Sequence, residues 1–326
     1  MSTFGRDSTT DEVLDGIDLS GCRVVITGAA SGLGRESARA LAAHGASVTL
    51  LARNKGRAEG AVAEVAASVP GADLRAGVAD LGDLDSVRSF AEAFLAGGDA
   101  IDVLLNNAGV MATPFGHTAD GFETQFGTNH LGHFLLTALL FPALRHAGAP
   151  RVVTLSSAGH SRSDVDLDDP NFETTPYSAW VAYGRSKTAN ALFALELATR
   201  AGPSGLLSFS VHPGAIITDL GRHLDDELMR EMIDFARARS AASGGEGAPA
   251  RHLNFKTVEA GAATQVWAAI APGLEAHNGA YLADCGLGVL GADPGVNGFM
   301  AYLLDDDHAA ALWALSEQLV GWRFEV

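Results

Sequence analysis

The sequence predicts an α/β protein built on a doubly wound, mostly seven-stranded parallel sheet with helices on both faces. Short apolar runs alternate with longer segments rich in Ala and Leu, which is the rhythm of strands joined by crossover helices. Several runs are apolar throughout rather than at every second position, as expected of strands buried on both faces. A glycine-rich turn directly follows the first run and opens the first helical segment.

The predicted elements follow one another along the chain without a fixed-period repeat or a linker, so we expect one domain over 1–326. The predicted strands are the β-prone apolar runs 23–28, 47–52, 74–80, 102–109, 151–159, 206–214 and 279–284. The predicted helices are the Ala- and Leu-rich segments 32–44, 55–68, 83–96, 119–146, 179–201, 225–239 and 309–321.

Three segments lie outside this rhythm. Residues 1–20 form a polar N-terminal extension, and residues 286–326 form a C-terminal extension whose amphipathic pattern predicts a helix packed on the body. Residues 216–254 are an insertion before the seventh strand, with a mobile, low-complexity part at 240–250. Because ligands bind at the carboxyl edge of such a sheet, we expect the insertion to be a substrate lid. A surface excursion without function is the alternative.

Composition and charge exclude several classes of protein. The net charge of −17 disfavours nucleic acid and anionic membrane as partners. Residues 1–20 lack the apolar core of a signal peptide, and the longest apolar-leaning run, 133–144, is too short to span a bilayer. Cys22 and Cys285 lie far apart and form no disulfide framework, which fits a reducing compartment. We expect a cytoplasmic protein without a membrane partner.

The glycine turn "TGAASGLG" (27–34) predicts a phosphate-binding site. Gly28, Gly32 and Gly34 allow a sharp turn and a close approach of a ligand to the backbone. The free N–H groups at the helix start would then face a pyrophosphate, and the helix dipole favours its negative charge. A glycine-rich turn without a ligand is the alternative.

The stretch "AYGRSKTAN" (182–190) places Tyr183 one helical turn before Lys187, so the two side chains share a face. A cation close to the phenol would lower the pKa of Tyr183 toward neutral pH and suit it to proton transfer. An ordinary surface pair is the alternative, because the spacing also occurs by chance in many helices.

Three motifs together resemble the short-chain dehydrogenase/reductase family. They are T-G-x-x-x-G-x-G at 27–34, N-N-A-G at 106–109 and Y-x-x-x-K at 183–187, in this order and each at a strand edge. The resemblance covers roughly residues 20–285. The "YLADCG" strand and the longer tail look like the branch that contains retinol dehydrogenases and light-dependent protochlorophyllide reductases. A Rossmann-like three-layer sandwich is the fold that the resemblance implies.

The resemblance implies a catalytic site of Asn129, Ser157, Tyr183 and Lys187. Tyr183 would be the general acid in reduction and the base in oxidation, and Lys187 would also hydrogen-bond the nicotinamide ribose. Ser157 would hold the substrate oxygen, with Ser156 as the competing candidate. Asn129 would support a water that leads protons toward Lys187, or would be a buried structural hydrogen-bonder.

The resemblance and the glycine turn also assign the cofactor contacts. Asp80 and Leu81 match the positions that contact adenine, although "DLGD" also looks like the start of a helix. The backbone of Ile216 and the hydroxyl of Thr218 would face the nicotinamide carboxamide. The full set of expected cofactor contacts is Gly28, Ser31, Gly32, Leu33, Gly34, Arg35, Arg53, Asp80, Leu81, Asn107, Ala108, Gly109, Tyr183, Lys187, Pro213, Gly214, Ile216 and Thr218.

NADP(H) is the expected cofactor, and NAD is the less favoured one. A carboxylate at the end of the second strand would favour NAD, but Ala52 stands there, followed by Arg53. Arg35 follows the glycine turn. Two guanidinium groups beside the ribose suit a 2′-phosphate, whereas two solvated surface arginines are the alternative.

The expected activity is NADP(H)-dependent interconversion of a carbonyl (ketone or aldehyde) and an alcohol, with an apolar small-molecule substrate. The alternatives are C=C reduction on the same scaffold and a non-catalytic dinucleotide-binding protein. Family members associate through the helices after the fourth and fifth strands, so a homodimer or tetramer is expected unless the tail covers that surface. An apolar pocket or lid, or else the buried face of a helix, is predicted for Leu220, Leu224, Met229, Met232, Phe235 and Trp180. No metal site is expected from the scattered histidines His130, His133, His160 and His212.

Overall fold

A computed structural model describes residues 4–243 and 255–326. It confirms the predicted parallel sheet, which has the strand order β3-β2-β1-β4-β5-β6-β7-β8. Strands β1 to β7 are parallel, and only β8 runs antiparallel, against β7. The strands of this sheet are β1 (Arg23–Thr27), β2 (Ser47–Ala52), β3 (Leu74–Val78), β4 (Val103–Asn106), β5 (Arg151–Leu155), β6 (Leu207–His212), β7 (Tyr281–Ala283) and β8 (Gly286–Leu287).

The eighth strand was not predicted, because two residues are too few to form a recognisable pattern. A tight turn at Asp284 and Cys285 reverses the chain between β7 and β8, with φ of 51° and 53°. Beyond it, β9 (Val289–Leu290) and β10 (Gly298–Phe299) pair as a separate two-stranded sheet.

Ten α-helices lie among the described residues. They are α1 (Thr10–Leu14), α2 (Gly32–Ala43), α3 (Lys55–Ser68), α4 (Leu84–Ala96), α5 (Thr124–Phe126), α6 (Gly132–Arg145), α7 (Ala179–Ala201), α8 (Asp226–Ser243), α9 (Val258–Ile270) and α10 (Asp306–Val320). The predicted helix over 119–146 is therefore shorter, and a π-helical turn at Gly127–Leu131 joins α5 to α6.

Each face of the sheet has its own hydrophobic core because successive strand residues point to opposite faces. Val24 and Ile26 of β1 pack into the core that contains α2 and α9. Val25, between them, packs into the core that contains α4, α6, α7 and α10. Continuously apolar strands are thus explained by burial on both sides.

The order of the strands opens a crevice at one edge of the sheet. The chain leaves β1 toward β2 on one side and returns to β4 on the other, so the crossovers diverge above the carboxyl ends of β1 and β4. Ligands of doubly wound folds bind at such a switch point. The turns after β1, β4, β5 and β6 all meet there.

Both chain extensions pack on the body. Val13 and Leu14 of α1 are buried, and Arg39 of α2 pairs with Asp11 at 2.7 Å, so the N-terminal extension is not simply polar. At the other end, the Trp313 ring of α10 stacks between Phe193 and Phe324, with centroid distances of 5.8 and 4.8 Å. The C-terminal helix therefore covers α6 and α7, the helices after β4 and β5.

The insertion begins and ends at neighbouring points. Ile216 and Lys256 form an isolated parallel bridge, with Lys256 N donating to Ala215 O at 2.8 Å. Helix α8 lies between these points, while residues 244–254, including most of the predicted mobile part, lie outside the described residues. Over the part of the chain that the structure covers, we find no helix with the length and apolar character of a membrane span.

Candidate active site

Tyr183 and Lys187 lie on the first turns of α7, and each side chain is only 4% exposed. Burial raises the pKa of Tyr183 to about 12, opposed by a hydrogen bond with Ser157, and burial lowers the pKa of Lys187 to about 8. The expectation that Lys187 would lower the pKa of the phenol is therefore wrong for this structure. Desolvation by burial is the dominant cause of the shift. The Lys187 ammonium lies 5.8 Å from the centre of the tyrosine ring.

Lys187 is anchored to the end of β5. Its Nζ donates to Leu155 O at 3.0 Å, and Asn190 Nδ2 donates to the same carbonyl at 2.9 Å. A side chain at Gly109 would place Cβ 3.5 Å from Nζ and 3.2 Å from Asn129 Oδ1. The last glycine of N-N-A-G therefore brings the β4 turn into contact with two predicted catalytic residues.

Ser157, rather than Ser156, lies at the Tyr183 hydroxyl. Ser157 Oγ accepts from Gly159 N at 3.0 Å and hydrogen-bonds Tyr183, whereas Ser156 Oγ donates to the carbonyl of Lys187 at 2.8 Å. Gly159 was not predicted, although a Cβ there would lie 2.6 Å from the Tyr183 ring. A glycine two residues after the serine is the signal that could have identified it.

Asn129 lies in the π-helical turn and is fully buried. Its Oδ1 accepts from Val110 N at 2.8 Å, and its Nδ2 donates to Val110 O and to Ser186 Oγ, both at 2.9 Å. The side chain therefore has the structural role of clamping the β4 loop to α7. A role in holding a water stays a prediction.

His133, which was considered only as a metal ligand, ties this turn to the glycine turn. Its Nδ1 donates to Asn129 O at 2.8 Å, so its Nε2 accepts from Thr27 Oγ1 at 2.8 Å. The Thr27 oxygen in turn accepts from Asn107 N and Ala108 N, each at 2.9 Å. This network joins the ends of β1 and β4.

The glycine turn forms a cradle that side chains would fill. Gly28 has φ of 66°, and a Cβ there would lie 2.8 Å from Ala108 Cα. At Gly34 a Cβ would lie 2.5 Å from Asn107 Nδ2. Gly32 (φ 54°) and Ser31 begin α2, and Ser31 provides no side-chain cap within the described residues, so the first N–H groups remain available to an anion.

The remaining residue of the cradle, Leu33, packs away from its opening. Its side chain lies 2.9 Å from the position of a Cβ at Gly261 of α9, and its carbonyl accepts from Gln265 Nε2 at 3.3 Å. Only the backbone of Leu33 can therefore contribute to phosphate binding.

The two arginines expected at the ribose differ in their environment. Arg35 forms an ion pair with Glu64 of α3, while Arg53 is exposed at the end of β2. Arg35 and Glu64 line a cleft of about 530 Å³ together with Gly32 and Thr218. The sequence did not predict the competing carboxylate of Glu64.

Asp80 and Leu81 form the turn after β3. Asp80 Oδ1 accepts from Gly82 N at 3.0 Å, and Asp83, not Asp80, caps α4. Leu81 is buried, and a Cβ at Gly132 would lie 2.4 Å from its carbonyl oxygen. The stretch "DLGD" is therefore a helix start, as the alternative interpretation held, and Asp83 is its capping residue.

The turn after β6 faces the glycine turn across the cleft. Gly214, after Pro213, has φ of 98°, and a Cβ there would lie 2.7 Å from Lys256 Cε. The position of a Cβ at Gly32 is 3.4 Å from Thr218 Cγ2. Ile216 packs on Gly261 of α9, so its side chain points away from the cleft.

Lys256 adds a buried ion pair that the sequence did not reveal. Its Nζ lies 2.6 Å from Asp284 Oδ1, and its side chain is only 3% exposed. The pair ties the end of the insertion to the turn between β7 and β8.

Apolar side chains of α8 and its neighbours cover Tyr183. Trp180 contacts the Tyr183 ring edge-on at 6.2 Å, and Trp180 Nε1 donates to Leu228 O at 3.2 Å. The predicted residues Leu224 and Met232 join this cluster, as do Met111 and Leu228, which were not predicted. We call this set (Met111, Trp180, Leu224, Leu228 and Met232) the apolar roof.

The other predicted pocket residues lie elsewhere. Met229 is 37% exposed, and Leu220 is half-buried in the turn before α8. Phe235 instead contacts Arg162, whose guanidinium lies 4.1 Å from the Phe235 ring centre and 4.5 Å from that of Trp180. The described residues contain no group of three or more His, Cys, Asp and Glu side chains that could hold a metal.

Comparison with known proteins identifies relatives over nearly the whole chain. The family model "short chain dehydrogenase" matches residues 23–228. A Streptomyces lividans protein named "Probable oxidoreductase" is 42% identical over 91% of this chain and 97% of its own length. Human "Retinol dehydrogenase 12" is 38% identical over 95% of this chain and 89% of its own length.

Solved structures give the same result. An uncharacterized protein from Mycobacterium Paratuberculosis superposes with a TM-score of 0.72 and 35% identity, covering 96% of this chain and 98% of its own. A short chain dehydrogenase from Burkholderia cenocepacia, solved in complex with NADP, has a TM-score of 0.61 and 26% identity over 82% and 98% of the two chains.

Proposed function

The chain belongs to the short-chain dehydrogenase family and is an oxidoreductase acting on CH–OH or C=O groups, and from this we propose that it uses NADP(H) to interconvert an apolar ketone or aldehyde and the corresponding alcohol. The observation that carries the proposal is the buried contact of Tyr183 with Ser157 at the foot of the apolar roof. The glycine cradle and the free N–H groups of α2 support a dinucleotide beside it.

In the proposed reduction, Tyr183 donates its proton to the substrate oxygen, and the Ser157 hydroxyl donates a hydrogen bond to the same oxygen. A bound NADPH would supply the hydride. The pKa of about 12 keeps the phenol protonated at neutral pH, which suits a proton donor. As the phenolate forms, the positive charge of Lys187, held in place through Leu155 O, would reduce the cost that burial imposes on the phenolate without outweighing it.

The preference for NADP(H) is supported by Arg35, Arg53 and the absence of a carboxylate at Ala52. A 2′-phosphate would take the place of Glu64 as the partner of Arg35. The NADP seen in the Burkholderia cenocepacia relative agrees with this choice.

The apolar roof supports an apolar substrate. The five side chains of the roof carry no charge, so a charged group bound against them would lose its hydration without gaining a partner from them. Because three of the five roof residues (Leu224, Leu228 and Met232) belong to the insertion, we propose that the insertion is the substrate lid.

The proposal is tested by following NADPH and NADH oxidation with a panel of apolar aldehydes and ketones, and by identifying the products. We expect alcohols as products and a higher kcat/KM with NADPH. Reduction of a C=C bond would assign the alternative reaction, and cofactor binding without turnover on any substrate class would refute the proposed activity.

A further inference from the structure

His212, the last residue of β6, contacts the two loops that meet at the proposed site. Its Nδ1 accepts from Ala158 N at 3.2 Å and from Gly214 N at 3.4 Å. Ala158 directly follows Ser157, and Gly214 begins the turn that continues to Thr218. One ring nitrogen therefore joins the backbone beside the substrate-binding hydroxyl to the backbone beside the proposed cofactor.

The hydrogen bonds define the chemical form of this ring. A nitrogen that accepts from two N–H groups carries no proton, so the ring is neutral and Nε2 carries the hydrogen. His212 is 3% exposed, and burial lowers its pKa to about 3, so the ring stays neutral across the physiological range. Nε2 is buried and finds no partner within residues 4–243 and 255–326. The free-energy cost of burying this unpaired N–H group is offset at Nδ1, which accepts hydrogen bonds from two backbone donors.

The surroundings of Gly214 leave the turn little freedom. The methylene groups of Lys256 lie within 2.9 Å of the position of a Gly214 Cβ. The Lys256 ammonium is held by Asp284, so this wall is itself fixed. The turn is thus restrained both by the hydrogen bond to His212 and by packing against Lys256.

We propose that His212 is a positioning residue: its Nδ1 sets the position of Ser157 relative to the cofactor-facing turn. The proposal rests on the proposed function, because the value of this position lies in aligning a substrate oxygen with a bound nicotinamide. Small displacements of aligned groups have large effects on rate, on the order of a hundredfold for ~1 Å.

Three substitutions separate the acceptor from the bulk of the ring. His212→Asn keeps an acceptor, because the amide Oδ1 stands at the same bond distance from the backbone as Nδ1. His212→Gln keeps polarity but moves the acceptor one atom further, and His212→Leu keeps branching without an acceptor. We expect kcat to fall by roughly tenfold or more in the Gln and Leu variants, and to remain close to the parent value in the Asn variant. The Kd for NADPH should likewise stay close to the parent value in the Asn variant and rise in the Gln and Leu variants.

Thermal unfolding of each variant separates folding from positioning, and the Asn and Gln pair decides the question if His212→Leu does not fold. Asn and Gln variants with equal kcat and equal NADPH affinity would overturn the proposal, as would a Leu variant as active as the parent. The Kd for NADPH, measured by fluorescence titration, tests His212 without turnover. A parent protein that reduces no carbonyl would therefore refute the proposed function. The order of NADPH affinities among the variants would still test the positioning role of His212.

Discussion

The glycine cradle and the apolar roof meet at Tyr183 but are specified in different ways. The cradle depends on backbone positions that favour glycine. At Gly28, for example, φ is 66° and a Cβ atom would lie 2.8 Å from Ala108 Cα. The roof depends on apolar contacts of Met232 and Trp180, which other apolar side chains could also make. If the two regions bind cofactor and substrate as proposed, the sequence constrains the cofactor site more tightly than the substrate site.

The largest effect is expected where the two regions meet. Tyr183→Phe removes the proton donor and keeps the ring that packs against Gly159 and Trp180. We expect kcat to fall by roughly 10²–10⁴-fold with NADPH affinity retained. Tyr302→Phe, which removes a partly buried hydroxyl that donates to His160 O, is the control and should keep most of the turnover. Comparable activity of the Tyr183 variant and the parent would disprove the assigned role.

Next in size is a change within the cradle. Gly28→Ala combines a left-handed backbone with a clash against Ala108, so we expect a loss of roughly 2–4 kcal/mol in the free energy of unfolding. Gly60→Ala on α3 is the control, because a Cβ there meets nothing within 4 Å, and helix propensity predicts a gain of about 0.5–1 kcal/mol. Urea denaturation measures both. A harmless Gly28→Ala would contradict the view of the cradle as backbone-limited.

A smaller effect is expected where the cradle meets the ribose. Arg35→Ala should weaken NADPH binding by about tenfold, or ~1.4 kcal/mol, with little effect on NADH. Glu64→Gln removes the competing carboxylate and should strengthen NADPH binding. Fluorescence titration with both cofactors measures these opposite shifts. If both variants bind NADPH as the parent does, the ion pair lies outside the cofactor site.

The smallest effect is expected in the roof. Met232→Ala removes apolar surface above Tyr183, so KM for a bulky apolar carbonyl should rise by several-fold, consistent with about 1 kcal/mol of lost contact. Met229→Ala, on the exposed side of α8, should leave KM unchanged. Steady-state kinetics on a series of carbonyls of increasing size provides the measurement. Equal effects at the two methionines would show that α8 does not contact substrate.

The sequence was sufficient to predict the features that depend on local patterns of residues. The parallel sheet followed from apolar runs and crossover helices, and the proximity of Tyr183 and Lys187 followed from their spacing of one helical turn. Such features depend on local patterns that are read along the chain.

Other features depend on tertiary packing and could not be predicted. The direction of the shift in the pKa of Tyr183 depends on how completely α8 and its neighbours bury the phenol. The pairing of Arg35 with Glu64 brings together two helices, and the links made by His133 join three elements. None of these contacts has a spacing that marks it in a single sequence.

The bridge between Ile216 and Lys256 brings the two ends of the insertion together at one point of the scaffold. Everything carried between these two points can change in length or composition while the β6 turn and α9 keep their places. Exchange of this segment is therefore expected to change substrate selectivity while the sheet stays intact. Grafting the corresponding segment of a relative onto this chain would exploit the same freedom in the laboratory.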